Sequence, residues 1–301
     1  MHRLFKALRA SLILGSCLLL GILAYAGTAT ANPQLASVHA VVQPLHGTEP
    51  VLTKFPDHQA SIASITKVMT AMVVLDSGLP LDEWLTITRR SDDPPKNAYS
   101  RIRIDSEAQR GDLLRITLMS SENLAAYVLA QNHPGGREGF IAAMNAKAAE
   151  LGMTQTQFVD PSGLWPENVS SARDLVTLVR AAYAYPELRE MSTQGRFRVQ
   201  FRSPRYTLDY GNTNALVHNA RWNVQLSKTG YLIESGRCLV MVAEIDQQPM
   251  ILVLLDSLGS RTPLGDAGRI RRWLENGEMG TVADAARAYE QQRVQALGAT
   301  H

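Results

Sequence analysis

Ala63-Ser64-Ile65-Thr66-Lys67-Val68-Met69-Thr70-Ala71-Met72-Val73-Val74-Leu75-Asp76 is the stretch from which the rest of the chain can be read. Ile65, Val68, Met69, Met72, Val73 and Asp76 recur at helical spacing, and all but the last are apolar, which predicts a helix with one buried face. Gly78 and Pro80 end it. Ser64 then stands at the mouth of the helix, and Lys67 lies one turn on along the same side. A serine at a helix N-terminus also has backbone N–H groups close by, which suits a developing oxyanion. Taken alone, Ser-x-x-Lys carries little, because average composition gives about one match in a chain of this length. Its bland reading is a helix cap followed by a solvated lysine.

Two further motifs change its weight. Ser121-Glu122-Asn123 falls at a break between two short apolar stretches, where the bland reading is an N-cap by Ser120 or Ser121. Lys228-Thr229-Gly230 falls at the end of an expected strand, where the bland reading is a turn. Glycine at 230 is expected to let a substrate backbone approach the strand edge. The three occur in the order Ser-x-x-Lys, Ser-x-Asn, Lys-Thr-Gly, separated by 57 and 107 residues, on a helix start, an inter-helix break and a strand end. That ordered triplet is the signature of penicillin-binding proteins and class A β-lactamases.

Outward from the first helix, strands are expected near 37–43 and 50–54, with a polar surface loop at 89–101. Helices are expected at 112–119, 124–131 and 137–151, a turn at Asp160-Pro161-Ser162-Gly163, and a helix at 172–184 opened by Ser171 with Asp174. The pattern then shifts to period two and to continuous apolar runs. Strands follow near 196–201, 222–228, 237–246 and 249–256, then a helix at 264–275 and a weakly apolar helical tail at 281–297. The first pair of strands and the last three can close one antiparallel sheet. The class is therefore α/β (α+β), a five-stranded antiparallel sheet flanked by helices with an interleaved helical lobe. Two independent domains divided near residue 190 are the alternative, although no flexible linker marks such a boundary.

Ala63 to Ala71, Leu118-Met119-Ser120-Ser121-Glu122-Asn123, Asp160-Pro161-Ser162-Gly163-Leu164 and Ser171-Ala172-Arg173-Asp174-Leu175 together resemble the low-molecular-mass serine D-alanyl-D-alanine peptidases. The resemblance runs from about residue 36 to 277. Met119-Ser120-Ser121-Glu122-Asn123 and Ala143 to Ala148 resemble the D,D-endopeptidase branch, of the penicillin-binding protein 7 type. The family resemblance implies a β-lactamase/DD-peptidase-like catalytic domain over 32–280, with 281–301 as an added helical tail. It also implies the roles of the site residues. Ser64 is acylated, and a neutral Lys67 takes its proton. Ser121 relays a proton to the leaving amine, helped by Lys228. Asn123 holds the substrate amide and orients Lys67. Lys228 and Thr229, beside Gly230, meet the anionic end of the substrate. The backbone N–H groups of Ser64 and Tyr231 form the oxyanion hole, and Arg261 contacts a substrate carboxylate, unless it is an ordinary surface arginine. An unshifted lysine would cost ~4–5 kcal/mol to neutralise at pH 7, so the site must depress its pKa. Burial and the cation of Lys228 are expected to do so. Water attack on the acyl-enzyme makes the site a peptidase, and amine attack would make it a transpeptidase.

Composition narrows the partners. The 301 residues are 45% hydrophobic and 19% charged, which excludes a disordered chain. The net charge of +2 arises in residues 1–31, because the remainder holds 27 basic and 28 acidic residues, so no nucleic-acid partner is expected. Positive Met1–Arg9, the apolar run Ala10–Ala26 and Ala29-Thr30-Ala31 have the layout of a secretory signal cleaved after Ala31. An uncleaved anchor or a lipid on Cys17 are the alternatives. Periplasmic residence is expected, without stable membrane insertion once the signal is removed, although the signal layout alone fits bacterial and eukaryotic secretion alike. Loss of Cys17 leaves Cys238 alone in an apolar strand, a buried small hydrophobe. Only 73 residues follow Lys228, so the added β domain and membrane-anchoring helix of some members of the family it resembles are not expected here. No His-Glu-x-x-His, phosphate loop or Gly-x-Ser-x-Gly is present, so no metal and no cofactor is expected. Glu167 lacks the Glu-x-x-x-Asn context of a β-lactamase deacylating base, and the Asn168-Val169-Ser170 sequon reads as chance. The expected function is a D,D-endopeptidase cutting peptidoglycan cross-links, acylated by β-lactam antibiotics. A D,D-carboxypeptidase trimming stem pentapeptides and a catalytically silent wall-binding protein are the alternatives.

Overall fold

The computed structural model describes residues 32–92, 94 and 99–298. The proposed signal with Cys17 lies outside these residues, as do parts of the 89–101 loop and the last three residues of the tail. Strand β1 covers His39–Pro44, β2 Leu52–Lys54 and β3 Ala60–Ser61. A 3-10 turn at Ala63–Ile65 runs into α1, Thr66–Asp76. Strands β4 (Trp84–Thr86) and β5 (Glu107–Gln109) precede helices α2 (Arg110–Met119), α3 (Asn123–Gln131) and α4 (Gly136–Glu150). Then come β6 (Val169–Ser170), α5 (Ala172–Tyr183), α6 (Pro186–Thr193) and the hairpin β7 (Arg196–Phe201) with β8 (Tyr206–Gly211). Strands β9 (Val224–Leu232), β10 (Gly236–Ile245) and β11 (Gln248–Ser257) lead to α7 (Thr262–Asn276) and α8 (Asp284–Gly298).

The sheet has five strands in the order β2-β1-β11-β10-β9, every neighbouring pair antiparallel. Register from His39↔Leu255 to Pro44↔Met250 joins the two ends of the chain in one sheet. A division near residue 190 is thereby overturned, because the first strands have no sheet without the last three. Both sheet faces are buried. Val41, Val240, Val242, Ile251 and Val253 join the core with α1 and α5, while Ala40, Val42, Leu239, Met241 and Leu252 pack with Ala267 and Ile270 of α7. Alternate residues thus enter two apolar layers, so β10 and β11 read as continuous apolar runs rather than as alternation.

Helix α1 departs from the expected one-faced pattern. Every residue from Thr66 to Val74 is buried. Its polar members are satisfied inside, Thr66 Oγ1 donating to Ala63 O at 2.7 Å and Thr70 Oγ1 to Pro161 O at 2.6 Å. A second departure concerns β9, which continues to Leu232 and carries Lys228-Thr229-Gly230 in its interior rather than at its end. Pairing of Gly236 with Leu232 and Arg237 with Tyr231 holds those extra residues in the sheet.

Tail helix α8 is docked. Tyr289 Oη donates to Asp256 Oδ1 at 2.6 Å, Arg293 Nε meets Asp256 Oδ2 at 2.7 Å, and Lys54 pairs with Glu290 at 2.8 Å. Val282 and Ala286 pack on Ala36. Among the described residues no helix is long and apolar enough to cross a membrane.

Candidate active site

The 3-10 turn at Ala63–Ile65 presents Ser64, and the first turn of α1 carries Lys67 beneath it. Lys67 is fully buried. Its Nζ donates to Asn123 Oδ1 at 2.8 Å and to the Ser162 carbonyl, and it lies 2.8 Å from Ser64 Oγ. Asn123 Oδ1 and Ser162 O can only accept. A neutral amine has two N–H bonds to give them, which turns its lone pair toward Ser64 Oγ, ready for the serine proton. Burial brings the Lys67 ammonium from the usual 10.5 down to about 7; Asp160 and Glu122 oppose this and Arg90 adds to it. Lys228 is buried as well, and burial plus the charge of Lys67 holds it well below the usual lysine range. The two buried lysines repel one another, and the charge of Arg90 also disfavours the Lys67 ammonium.

Residues 160–168 form the clamp behind Lys67. Asp160 is buried and accepts from Ser162 N and Gly163 N, each at 2.9 Å, and from Ser162 Oγ and Asn168 Nδ2. Asn168 Oδ1 in turn accepts from Val159 N at 2.9 Å. This network aims the Ser162 carbonyl at Lys67. Gly163 has φ +74°, and a Cβ there would overlap the Ala63 carbonyl, so only glycine fits. Asn168 is fully buried, which closes its sequon to modification.

Opposite stand Ser121 and β9. Ser121 has φ +62°, an uncommon backbone for a side chain and a feature of functional loops. Glu122, not a serine, caps α3, accepting from Ala125 N at 2.6 Å. Lys228 Nζ donates to Thr229 O at 2.8 Å, and Thr229 Oγ1 bonds Thr213 Oγ1 at 2.7 Å. A Cβ on Gly230 would come 2.9 Å from Ile62 O and 3.1 Å from Ser64 N. The glycine thus admits the turn that carries Ser64. It also brings Ser64 N within one residue of Tyr231.

Ser64, Ser121, Asn123, Thr229, Gly230 and Tyr231 all line one cavity of about 520 Å³. Lys67 and Lys228 lie under its floor, off the lining. Arg261 does not line it, being exposed at the N-cap of α7, although Ser260 and Pro263 beside it do. Glu167 is exposed and off the wall, and among the described residues no carboxylate lines the cavity. Cys238 reaches the wall, but burial pushes its thiol up to about 12, so it is inert. Sequence reading missed Thr213, Arg237 and the Ser162 carbonyl. The 160–163 turn carried a signal for the last. Arg237 becomes visible only through its register with Tyr231, over whose ring its guanidinium sits at 3.8 Å.

Residues 26–259 match the family described as D-alanyl-D-alanine carboxypeptidase, peptidase S11. A D-alanyl-D-alanine endopeptidase of Pseudomonas aeruginosa is 49% identical over 260 residues, covering 86% of this chain and 84% of that protein. One of Escherichia coli is 45% identical over 274 residues, covering 91% and 88%. Among solved structures, penicillin-binding protein D2 of Listeria monocytogenes in its cefotaxime-bound form superposes with a TM-score of 0.70 at 27% identity, covering 80% of this chain and 97% of that one.

Proposed function

Since this chain belongs to the D-alanyl-D-alanine carboxypeptidase family, we propose that it is a periplasmic serine D,D-endopeptidase that hydrolyses D-alanyl–diamino-acid cross-links of peptidoglycan. The observation that carries this reading is the buried Lys67 amine, 2.8 Å from Ser64 Oγ and titrating near about 7. In the first half-reaction the Ser64 proton passes to Lys67 Nζ while Oγ attacks the D-alanyl carbonyl. The oxyanion meets the backbone N–H groups of Ser64 and Tyr231. The C–N bond breaks, and the leaving nitrogen takes a proton through Ser121, helped by Lys228. Asn123 bridges Lys67 and the substrate amide, and Thr229 with Lys228 attracts the anionic end. Arg261, one residue from the cavity wall, is a candidate for a substrate carboxylate outside the cavity. Water then attacks the Ser64 ester with Lys67 as base, releasing the enzyme.

Endopeptidase is favoured over carboxypeptidase by the two relatives of 49% and 45% identity, both of that activity. β-Lactam antibiotics acylate the same serine in this reading, in keeping with the cefotaxime-bound relative. The signal layout of residues 1–31 supports the periplasm. Digestion of purified cross-linked muropeptides, resolved by mass, tests the proposal. Conversion of dimer to monomers faster than trimming of free pentapeptide is expected; the reverse preference makes the enzyme a carboxypeptidase, and no turnover of either makes it a silent binder.

A further inference from the structure

A second groove, of about 300 Å³, shares Ser121 and Asn123 with the catalytic cavity but has no β9 residue on its walls. Arg101, Tyr210 and Gly211 help to line it. Arg101 is fixed there. One N–H donates to Asp209 O at 2.7 Å, and the guanidinium lies over the Tyr210 ring at 5.0 Å. No carboxylate pairs with it among the described residues. Asp209, whose backbone carbonyl accepts from Arg101, has its carboxylate already held through both oxygens by Arg198, at 2.7 and 3.0 Å. Glu122, the acid on the groove wall, is engaged by hydrogen bonds with Ser100 beside it and with Ala125 N at the start of α3. Tyr210 carries a buried hydroxyl with no partner. The groove therefore presents a held cation with donors to spare, immediately beyond Ser121.

Resting on the endopeptidase reading, we propose that this groove takes the second stem peptide of a cross-linked substrate, and that Arg101 binds a carboxylate of that peptide. Ser64 holds the acyl side of the scissile bond, Lys228 and Thr229 of β9 meet the carboxylate beside the leaving nitrogen, and Ser121 faces that nitrogen. Chain continuing past the residue that bears this carboxylate enters the groove. A free pentapeptide releases a single alanine, whose one carboxylate is the end that Lys228 and Thr229 meet, and has no further chain to place there. A cross-link continues from its diamino acid into a further peptide, which brings a carboxylate of its own. Arg101 thus selects between substrates without taking part in the bond-breaking step.

The test measures kcat/KM of wild type, Arg101→Ala and Arg101→Lys on a purified cross-linked muropeptide dimer and on free pentapeptide. Penicillin acylation of Ser64 reports on folding. Arg101→Ala is expected to lower the dimer value about tenfold or more, mainly through KM, the loss of one charge-assisted hydrogen bond. Pentapeptide cleavage and acylation are expected to stay near wild type, and Arg101→Lys to recover part of the dimer loss. Unchanged dimer cleavage, or an equal fall on both peptides, overturns the subsite alone. A wild-type enzyme that prefers free pentapeptide overturns the endopeptidase reading, and the subsite with it.

Discussion

Lys67 works as a base only when neutral, and its burial fixes the pH at which that holds. With an ammonium titrating near about 7, acylation by penicillin is expected to be flat above that pH and to fall about tenfold per unit below it. The sign follows from the active species: lowering pH protonates the amine and removes the base. Stopped-flow acylation across pH 5 to 10 reads this directly, and a rate still climbing toward pH 10 would show an undepressed lysine. Lys67→Arg keeps a charge that cannot be removed, so acylation should drop by at least ~100-fold. Near-normal acylation would move the base role to Ser121. Gly230 controls the nucleophile by contact. In Gly230→Ala the new Cβ meets Ile62 O and Ser64 N at 2.9 and 3.1 Å, so the turn carrying Ser64 must shift. A loss of about 100-fold in acylation is expected from such a displacement, with the melting temperature changed far less.

At the scale of elements, the 160–168 clamp couples stability to catalysis. Asn168→Ala removes a donor from buried Asp160 and an acceptor from Val159 N and Asp160 N. A cost of about 2–4 kcal/mol is expected, seen as a melting temperature lowered by roughly 5–10 °C. The Ser162 carbonyl moves with the clamp, so acylation should slow in the same variant. A melting temperature within a degree of wild type would show the network to be dispensable. The cap of the helix that follows was legible in advance: Ser171 Oγ accepts from Asp174 N at 3.1 Å, as its spacing requires. The clamp's use was not legible, because the residue it serves lies 95 positions away from Ser162.

At the scale of the whole molecule, α8 closes the sheet rather than hanging free. Deleting residues 281–301 strips Tyr289 and Arg293 from Asp256, Glu290 from Lys54, and the cover from Ala36. A loss of about 2–4 kcal/mol is expected by thermal melting, with the protein recovered in the same cell fraction as wild type. Release from a membrane pellet only after the deletion would instead make α8 an anchor. The sequence by itself did not determine the short strands β3 to β6, α6 or β8, but it did determine the order of the main helices and of the five sheet strands, the helix start with Ser64 and Lys67, and the three motifs. Each is written in a local period, a cap or a short run of residue types. Tertiary structure alone decided that β9 runs on past Gly230, and that the glycine yields to the Ser64 turn. It alone decided that Arg261 stands off the cavity while Arg237 lines it. It also brought Tyr210 and Gly211 of the hairpin β7–β8 beside Ser121 with Arg101. These outcomes depend on which surfaces meet across scores of residues, and a local pattern records which face of an element is apolar but not what packs against it.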